Sequence, residues 1–176
     1  YYSVVSEEET KNGCDIVVAD TIRIPPEAVD PTIKNYGRLD FVRALFEAYD
    51  KEARYAVLLD GEGNVTEGRG WNIFALDSGH LISPDEGVLQ GITRRTVVEL
   101  AEKLNIEAKL EKLPVNRMRG AEEIFLTSTA GGIVPVKSID GKSVGDGNVG
   151  PVTQRLTDMY WELHEDGAYT TPVEYN

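Results

Sequence analysis

Four stretches of the chain carry residue types that can do chemistry, each beside glycine or proline. Thr66-Glu67-Gly68-Arg69-Gly70-Trp71-Asn72 sets an acid among glycines and runs into the apolar Ile73-Phe74-Ala75-Leu76. Strand-forming residues next to small flexible ones hold a carboxylate where a ligand comes close; an ordinary turn acid fits the same pattern. Lys34, in Pro31-Thr32-Ile33-Lys34-Asn35-Tyr36, lies between a proline-broken connection and a helix. A lysine in an apolar, constrained setting loses its proton readily and attacks carbonyls, whereas a solvated surface lysine does not. Gly87-Val88-Leu89-Gln90-Gly91-Ile92-Thr93-Arg94-Arg95 is a flexible turn entering a helix. Free N–H groups and the helix dipole there favour an anion by ~0.3–1 kcal/mol per exposed charge. Thr93 suits either a phosphate or a plain helix cap. Thr127-Ser128-Thr129-Ala130-Gly131-Gly132 joins hydroxyls to glycines, a composition shared by anion-binding nests and by polar turns bonded to themselves.

The elements that must position these stretches follow from periodicity. Cys14–Ala19 and Thr21–Ile24 read as extended, and Pro25-Pro26 and Asp30-Pro31 then make an ordered, irregular connection. Phe41, Val42, Leu45, Phe46 and Tyr49 recur at helical spacing and predict an amphipathic helix over Leu39–Tyr49. Tyr55–Leu59 is a strand ending at the turn Asp60-Gly61-Glu62-Gly63. Ile73–Leu76 and His80–Ile82 flank Asp77-Ser78-Gly79 as a hairpin. A second helix covers Thr93–Leu104, with Val97, Val98, Leu100, Ala101 and Leu104 inward. Glu107–Leu113, Ile124–Thr127 and Ile133–Val136 read as strands, and Pro151–His164 as a helix with proline at its favoured first position. Glu7-Glu8-Glu9 reads as a solvated face and Tyr1–Val5 as the inside of a strand. Strands and helices mix without strict alternation, so the fold class is α+β (mixed α/β).

With 176 residues, 41% of them hydrophobic, the chain suits a single domain over residues 1–176 with a sizeable core. A net charge of -12 opposes contact with a phosphate backbone, so no nucleic-acid partner is expected. No apolar run is long enough to suggest a membrane span. Cys14 is the single cysteine, which leaves no disulfide framework or cysteine zinc site and fits a reduced, cytoplasmic setting. His80 and His164 lack ligands at metal spacing, so no metal is expected. A phosphate-loop lysine, a dinucleotide glycine fingerprint and a hydrolase serine frame are all missing.

Taken in order, Lys34, Thr66-Glu67-Gly68, Leu89-Gln90-Gly91-Ile92-Thr93-Arg94 and Thr129-Ala130-Gly131-Gly132 resemble the fold-type IV pyridoxal-phosphate enzymes. These are the branched-chain and D-amino-acid aminotransferases and their relatives. Pro31-Thr32-Ile33-Lys34-Asn35, Gly87–Arg94 and Gly150-Pro151-Val152-Thr153…Tyr160-Trp161 look most like the (R)-selective amine transaminases. The resemblance runs from Cys14 to Tyr175 and implies the large C-terminal domain of the D-amino-acid-aminotransferase-like fold. It implies pyridoxal 5'-phosphate as cofactor, an amine or amino acid and a keto acid as substrates, a ping-pong transfer, and a homodimer. By resemblance, Lys34 would carry the cofactor covalently and later shuttle the proton between substrate carbon and cofactor. Glu67 would pair with the ring nitrogen. Ile92, Thr93 and Thr129 would hold the phosphate, Leu89 would pack on the ring face, and Ala130 and Gly131 would face the substrate. A lyase of the aminodeoxychorismate type and a non-catalytic half that needs a partner chain stand as alternatives.

The chain departs from the family pattern in three places. Family members carry a smaller N-terminal domain before this region, so a missing N-terminal domain or chain is expected, with residues 1–30 holding the connection. Arg69 stands where relatives have a small residue, and Arg38 where the amine transaminases have an aromatic one. Either cation can take a substrate carboxylate or pair with a surface acid.

Overall fold

Apolar residues occupy successive positions along several of the extended segments, so these strands need cover on both faces. In the computed structural model, which describes residues 5–174, they join into one curled sheet. In chain order the elements are α1 (Glu7–Asn12), β1 (Cys14–Ile22), α2 (Leu39–Asp50), β2 (Tyr55–Leu59), β3 (Asn64–Gly68), β4 (Asn72–Asp77) and β5 (His80–Ser83). They continue with α3 (Ile92–Lys103), β6 (Ala108–Leu110), β7 (Leu113–Pro114), α4 (Val115–Arg119), β8 (Glu123–Ser128), β9 (Gly132–Ile139), β10 (Lys142–Ser143) and α5 (Pro151–Glu162). The strand order is β6-β5-β4-β8-β9-β1-β2-β3-β7, with β10 added to β9. β1 runs parallel to both β2 and β9, while β4, β8 and β9 pair antiparallel.

Closure of this sheet positions the site. β3 and β4 are far apart in strand order, yet Gly68 and Trp71 bridge them, Gly68 N donating to Trp71 O at 3.2 Å and Trp71 N to Gly68 O at 3.5 Å. A Cβ at Gly68 would run into the Trp71 ring and stand 2.6 Å from the Ala56 carbonyl, so this closure requires glycine. Ile73 and Ala75 of β4 and Ile124 and Leu126 of β8 join Ile16, Val18, Val57 and Trp71 in one core. Their alternates Phe74, Leu76 and Phe125 meet Val97, Leu100 and Ala101 of α3 and Leu156 and Tyr160 of α5 in another. Phe74 and Phe125 stack with ring centroids 5.1 Å apart.

The expected mixture of helices and strands is present, with instructive differences. α2 forms where predicted, but it packs on β1 and β2 through Phe41, Ala44 and Ala48, while Val42, Phe46 and Tyr49 face outward. Alanines allow the helix to approach the sheet closely, so small residues win the inner face over large ones. The expected strand Glu107–Leu113 is two strands: β6 extends the sheet beside β5 and β7 beside β3, at opposite ends of the strand order. α1 was not expected, although its signal is in the sequence. Ser6 accepts from Glu9 N and the Glu9 carboxylate accepts from Ser6 N, a capping box. β1 stops at Ile22, before the predicted Ile24, and β9 runs past Val136 to Ile139. The extended segment read over residues 1–5 lies outside the described residues except for Val5, which is in no strand. Among the described residues no helix is long and apolar enough to cross a membrane.

α5 starts at Gly150, which has no side chain to cap it. The buried Glu123 of β8 does so across the sheet, accepting from Val152 N at 3.1 Å and from Thr153 N and Oγ1 at 2.7 Å each. Glu123→Ala removes all three hydrogen bonds and should cost about 2–4 kcal/mol of folding free energy. Denaturant unfolding measures this against the exposed Glu102→Ala, expected within ~0.5 kcal/mol of the parent.

Candidate active site

Glu67 is the penultimate residue of β3, beside the bridge that closes the sheet, and is only 6% exposed. Its Oε2 accepts from Leu89 N at 3.0 Å and from Asn72 Nδ2 at 3.1 Å, and its Oε1 meets Arg23 Nη2 at 3.5 Å. Burial pushes its carboxyl above the ordinary carboxylate range, and the Leu89 N–H and the Arg23 and Arg38 cations pull back without cancelling the shift.

Arg23 follows β1 directly. Its Nη1 donates to Asp40 Oδ2 at 2.6 Å, and its guanidinium lies over the Phe41 ring, 4.3 Å from the centroid. Asp40, in the first turn of α2, also accepts from the backbone N–H groups of Ile24 and Phe41 at 3.1 and 2.9 Å. One buried cation thus joins the end of β1, the start of α2 and the Glu67 carboxylate.

The loop that delivers Leu89 to Glu67 is pinned from α3. Arg94, buried, donates from Nε to Ser83 Oγ at 2.9 Å, from Nη1 to Gln90 Oε1 at 2.9 Å and from Nη2 to the Pro84 carbonyl at 2.6 Å. Asn72 Nδ2 also bonds the Leu89 carbonyl at 2.9 Å, and a Cβ on Gly91 would collide with the Asn72 amide oxygen. Gly91, not Thr93, is the N-cap of α3, and no side chain caps that turn; Thr93 is the buried second helical residue. The helix therefore starts with N–H groups free of side-chain acceptors, the arrangement that receives anions. In the turn after β8, Ser128 Oγ accepts from Gly131 N at 3.0 Å, so this segment is in part a polar turn bonded to itself. The buried Thr127 hydroxyl has no partner among the described residues.

Lys34 lies in an irregular segment between β1 and α2, and its side chain is exposed. Asp30 accepts from Thr32 N at 2.9 Å, and Asn35 accepts from Gly37 N at 2.9 Å, so side chains fix the backbone on both sides. A cleft open to solvent brings Lys34, Arg38, Glu67, Leu89, Ile92, Thr93 and Thr129 together. Arg69, Ala130 and Gly131 lie outside its lining. Arg23, Asn72 and Thr127 also line it and were not singled out from sequence. The available signals were a cation between Ile22 and Ile24, and an amide and a hydroxyl inside motifs already noted.

The class IV amino-transferase family model matches residues 3–139. The chain belongs to the class IV aminotransferases. It is 35% identical over 166 residues to branched-chain-amino-acid aminotransferase-like protein 1 of Arabidopsis thaliana, which covers 94% of this chain and 30% of that protein. The branched-chain-amino-acid aminotransferase of Escherichia coli (strain K12) is 33% identical over 159 residues, 89% of this chain and 52% of that one. Among solved structures, the Escherichia coli branched-chain enzyme superposes with a TM-score of 0.87 at 33% identity, covering 90% of this chain and 53% of that chain. The branched-chain enzyme of Thermobaculum terrenum in its PLP form also reaches 0.87 at 33% identity, with 94% and 56% covered. The chain thus spans from under a third to somewhat over half the length of these relatives.

In this class IV aminotransferase Arg23→Met leaves Asp40 and Glu67 buried without their shared cation. The expected loss is about 3–5 kcal/mol at pH 7. Because the folded pKa of Glu67 is raised, the stability of its neutral form is complete below the ordinary glutamate value and drains as pH rises through the folded value. Losing Arg23 raises that folded value further, so the deficit should shrink as acid protonates Glu67. Denaturant unfolding from pH 4 to pH 8 reads both effects.

Proposed function

We propose that the chain is the cofactor-bearing part of a transaminase. It would move an amino group between an amine or amino acid and a keto acid by a ping-pong cycle, with pyridoxal 5'-phosphate as cofactor. The observation that carries this reading is the Glu67 carboxylate, buried yet bonded by Leu89 N–H, Asn72 and Arg23, in the wall of the cleft that holds Lys34. A carboxylate buried against its solvation preference suits a cationic partner, and a protonated ring nitrogen is one. The uncapped start of α3 and the unpartnered Thr127 hydroxyl suit the phosphate arm. When bound, the cofactor supplies an electron sink for the pair released at the substrate carbon.

The chain's residues then have separate tasks. Lys34 Nζ holds the cofactor and moves the proton at the substrate carbon. Glu67 keeps the ring nitrogen protonated. The N–H groups of Ile92 and Thr93, with Thr129, would bind the phosphate, and Leu89 would pack on the ring face. Fixing both ends of a planar ring sets the angle at which the substrate bond meets it. A homodimer is the proposed assembly, because Leu39, Val42, Phe46 and Tyr49 expose large apolar surface on α2, with Ile33 and Tyr36 just before it. The buried, free thiol of Cys14 supports a cytoplasmic setting.

Intact protein should take up pyridoxal phosphate and show the absorbance band of the lysine-bound cofactor, with Lys34→Ala losing the band and reducing transamination to background. Failure of the intact protein to take up the cofactor contradicts the proposal, and pyruvate release without an amino acceptor would replace transaminase by lyase. Phe46→Glu should shift the intact protein from dimer to monomer in sedimentation; an unchanged dimer removes α2 from the interface.

A further inference from the structure

Among the described residues, Arg38 is the arginine lining the cleft that makes no hydrogen bond or ion pair, although its charge is felt by the Glu67 carboxyl. Arg23 is paired with Asp40 and Glu67, and Arg94 is bonded to Ser83, Gln90 and the Pro84 carbonyl. Among the described residues the Arg38 guanidinium has no hydrogen bond or ion pair; its contact is the Phe41 ring, 4.7 Å from the centroid. The same ring carries Arg23 at 4.3 Å, so two guanidinium groups crowd one aromatic side chain at the start of α2. Arg38 is half-buried and lines the cleft with Lys34 and Glu67. Arg69, the other cation that departs from the family pattern, is exposed and outside that lining.

This asymmetry calls for an anion. A half-buried cation next to a second cation is repelled unless negative charge arrives. Glu67 offsets that repulsion only in part: Arg38 acts on it through space, but its oxygens already accept from Leu89 N–H, Asn72 and Arg23. Arg38 Cζ lies over the Phe41 ring, 4.7 Å from its centroid, and the guanidinium fork matches a planar, two-oxygen acceptor. We propose that Arg38 binds the carboxylate of the substrate and so selects amino and keto acids over amines that lack one. The proposal rests on the transaminase reading above and gives that site its substrate class.

The test is calorimetric titration of the intact, cofactor-loaded protein with 4-methylvaleric acid, which carries a carboxylate but no reacting group, and with its uncharged amide. Arg38→Leu should weaken the acid by about 10- to 100-fold, the size expected for losing charge-assisted hydrogen bonds. Arg38→Lys, which keeps the charge but not the fork, should weaken it less, and the amide should bind parent and variants within about twofold. Unchanged acid affinity in Arg38→Leu overturns the proposal, as does equal loss for acid and amide, which marks a packing role. A shifted pH dependence of the cofactor band with unchanged acid affinity overturns it too, because Arg38 would then be serving the cofactor. Arg38→Gln provides a second, polar replacement if the leucine variant fails to fold. Absence of the cofactor band in the parent sinks the transaminase reading; the heat of acid binding still decides the role of Arg38.

Discussion

A carboxylate that is 6% exposed and accepts from a backbone N–H, an amide and a guanidinium is the constraint around which this domain is arranged. Burying such a group is costly unless its oxygens are satisfied. Each donor comes from a different place: Leu89 from the loop before α3, Asn72 from the start of β4, Arg23 from the end of β1. Those segments are fixed in turn by the Arg94 bonds, the Gly68–Trp71 bridge and the Asp40 carboxylate. The acid therefore cannot be moved without moving the sheet closure, α2 and the loop together.

The same convergence explains the position of the cleft. Curling brings β3 to β4 and opens a pocket at the closure, where Lys34, the α3 start and the turn after β8 meet. Lys34 lies outside regular structure, on a segment pinned by Asp30 and Asn35. Under the proposed function, irregular backbone at the rim and rigid strand at the floor would divide the work: the acid would need fixed geometry, while the lysine would reach bound groups and return.

Much of this was legible in the sequence because it rests on local chemistry. Glu67 among glycines, the glycine turn entering a helix, and the Val- and Ile-rich strands all advertise themselves over a few residues. What stayed hidden depends on distant partners. Arg23 has no local signal because Asp40 lies 17 residues away and Glu67 44 residues away. Glu123 likewise has no local signal, since it caps a helix 29 residues on. Periodicity finds α2 but marks its large apolar residues, whereas the face packed on the sheet holds Phe41 with Ala44 and Ala48. The break at Glu111-Lys112, which sends β6 and β7 to opposite ends of the strand order, has no local signature, since both halves carry ordinary strand residues.

The central claim is that Glu67 is buried to serve as the counter-charge of a protonated ring nitrogen. The most direct measurement is the NMR chemical shift of that nitrogen, isotopically labelled, in pyridoxal phosphate bound to the intact protein. The expected result is a protonated ring nitrogen in the parent that becomes unprotonated in Glu67→Gln with the cofactor still bound. An unprotonated nitrogen in the parent, or the same shift in parent and variant, would contradict it.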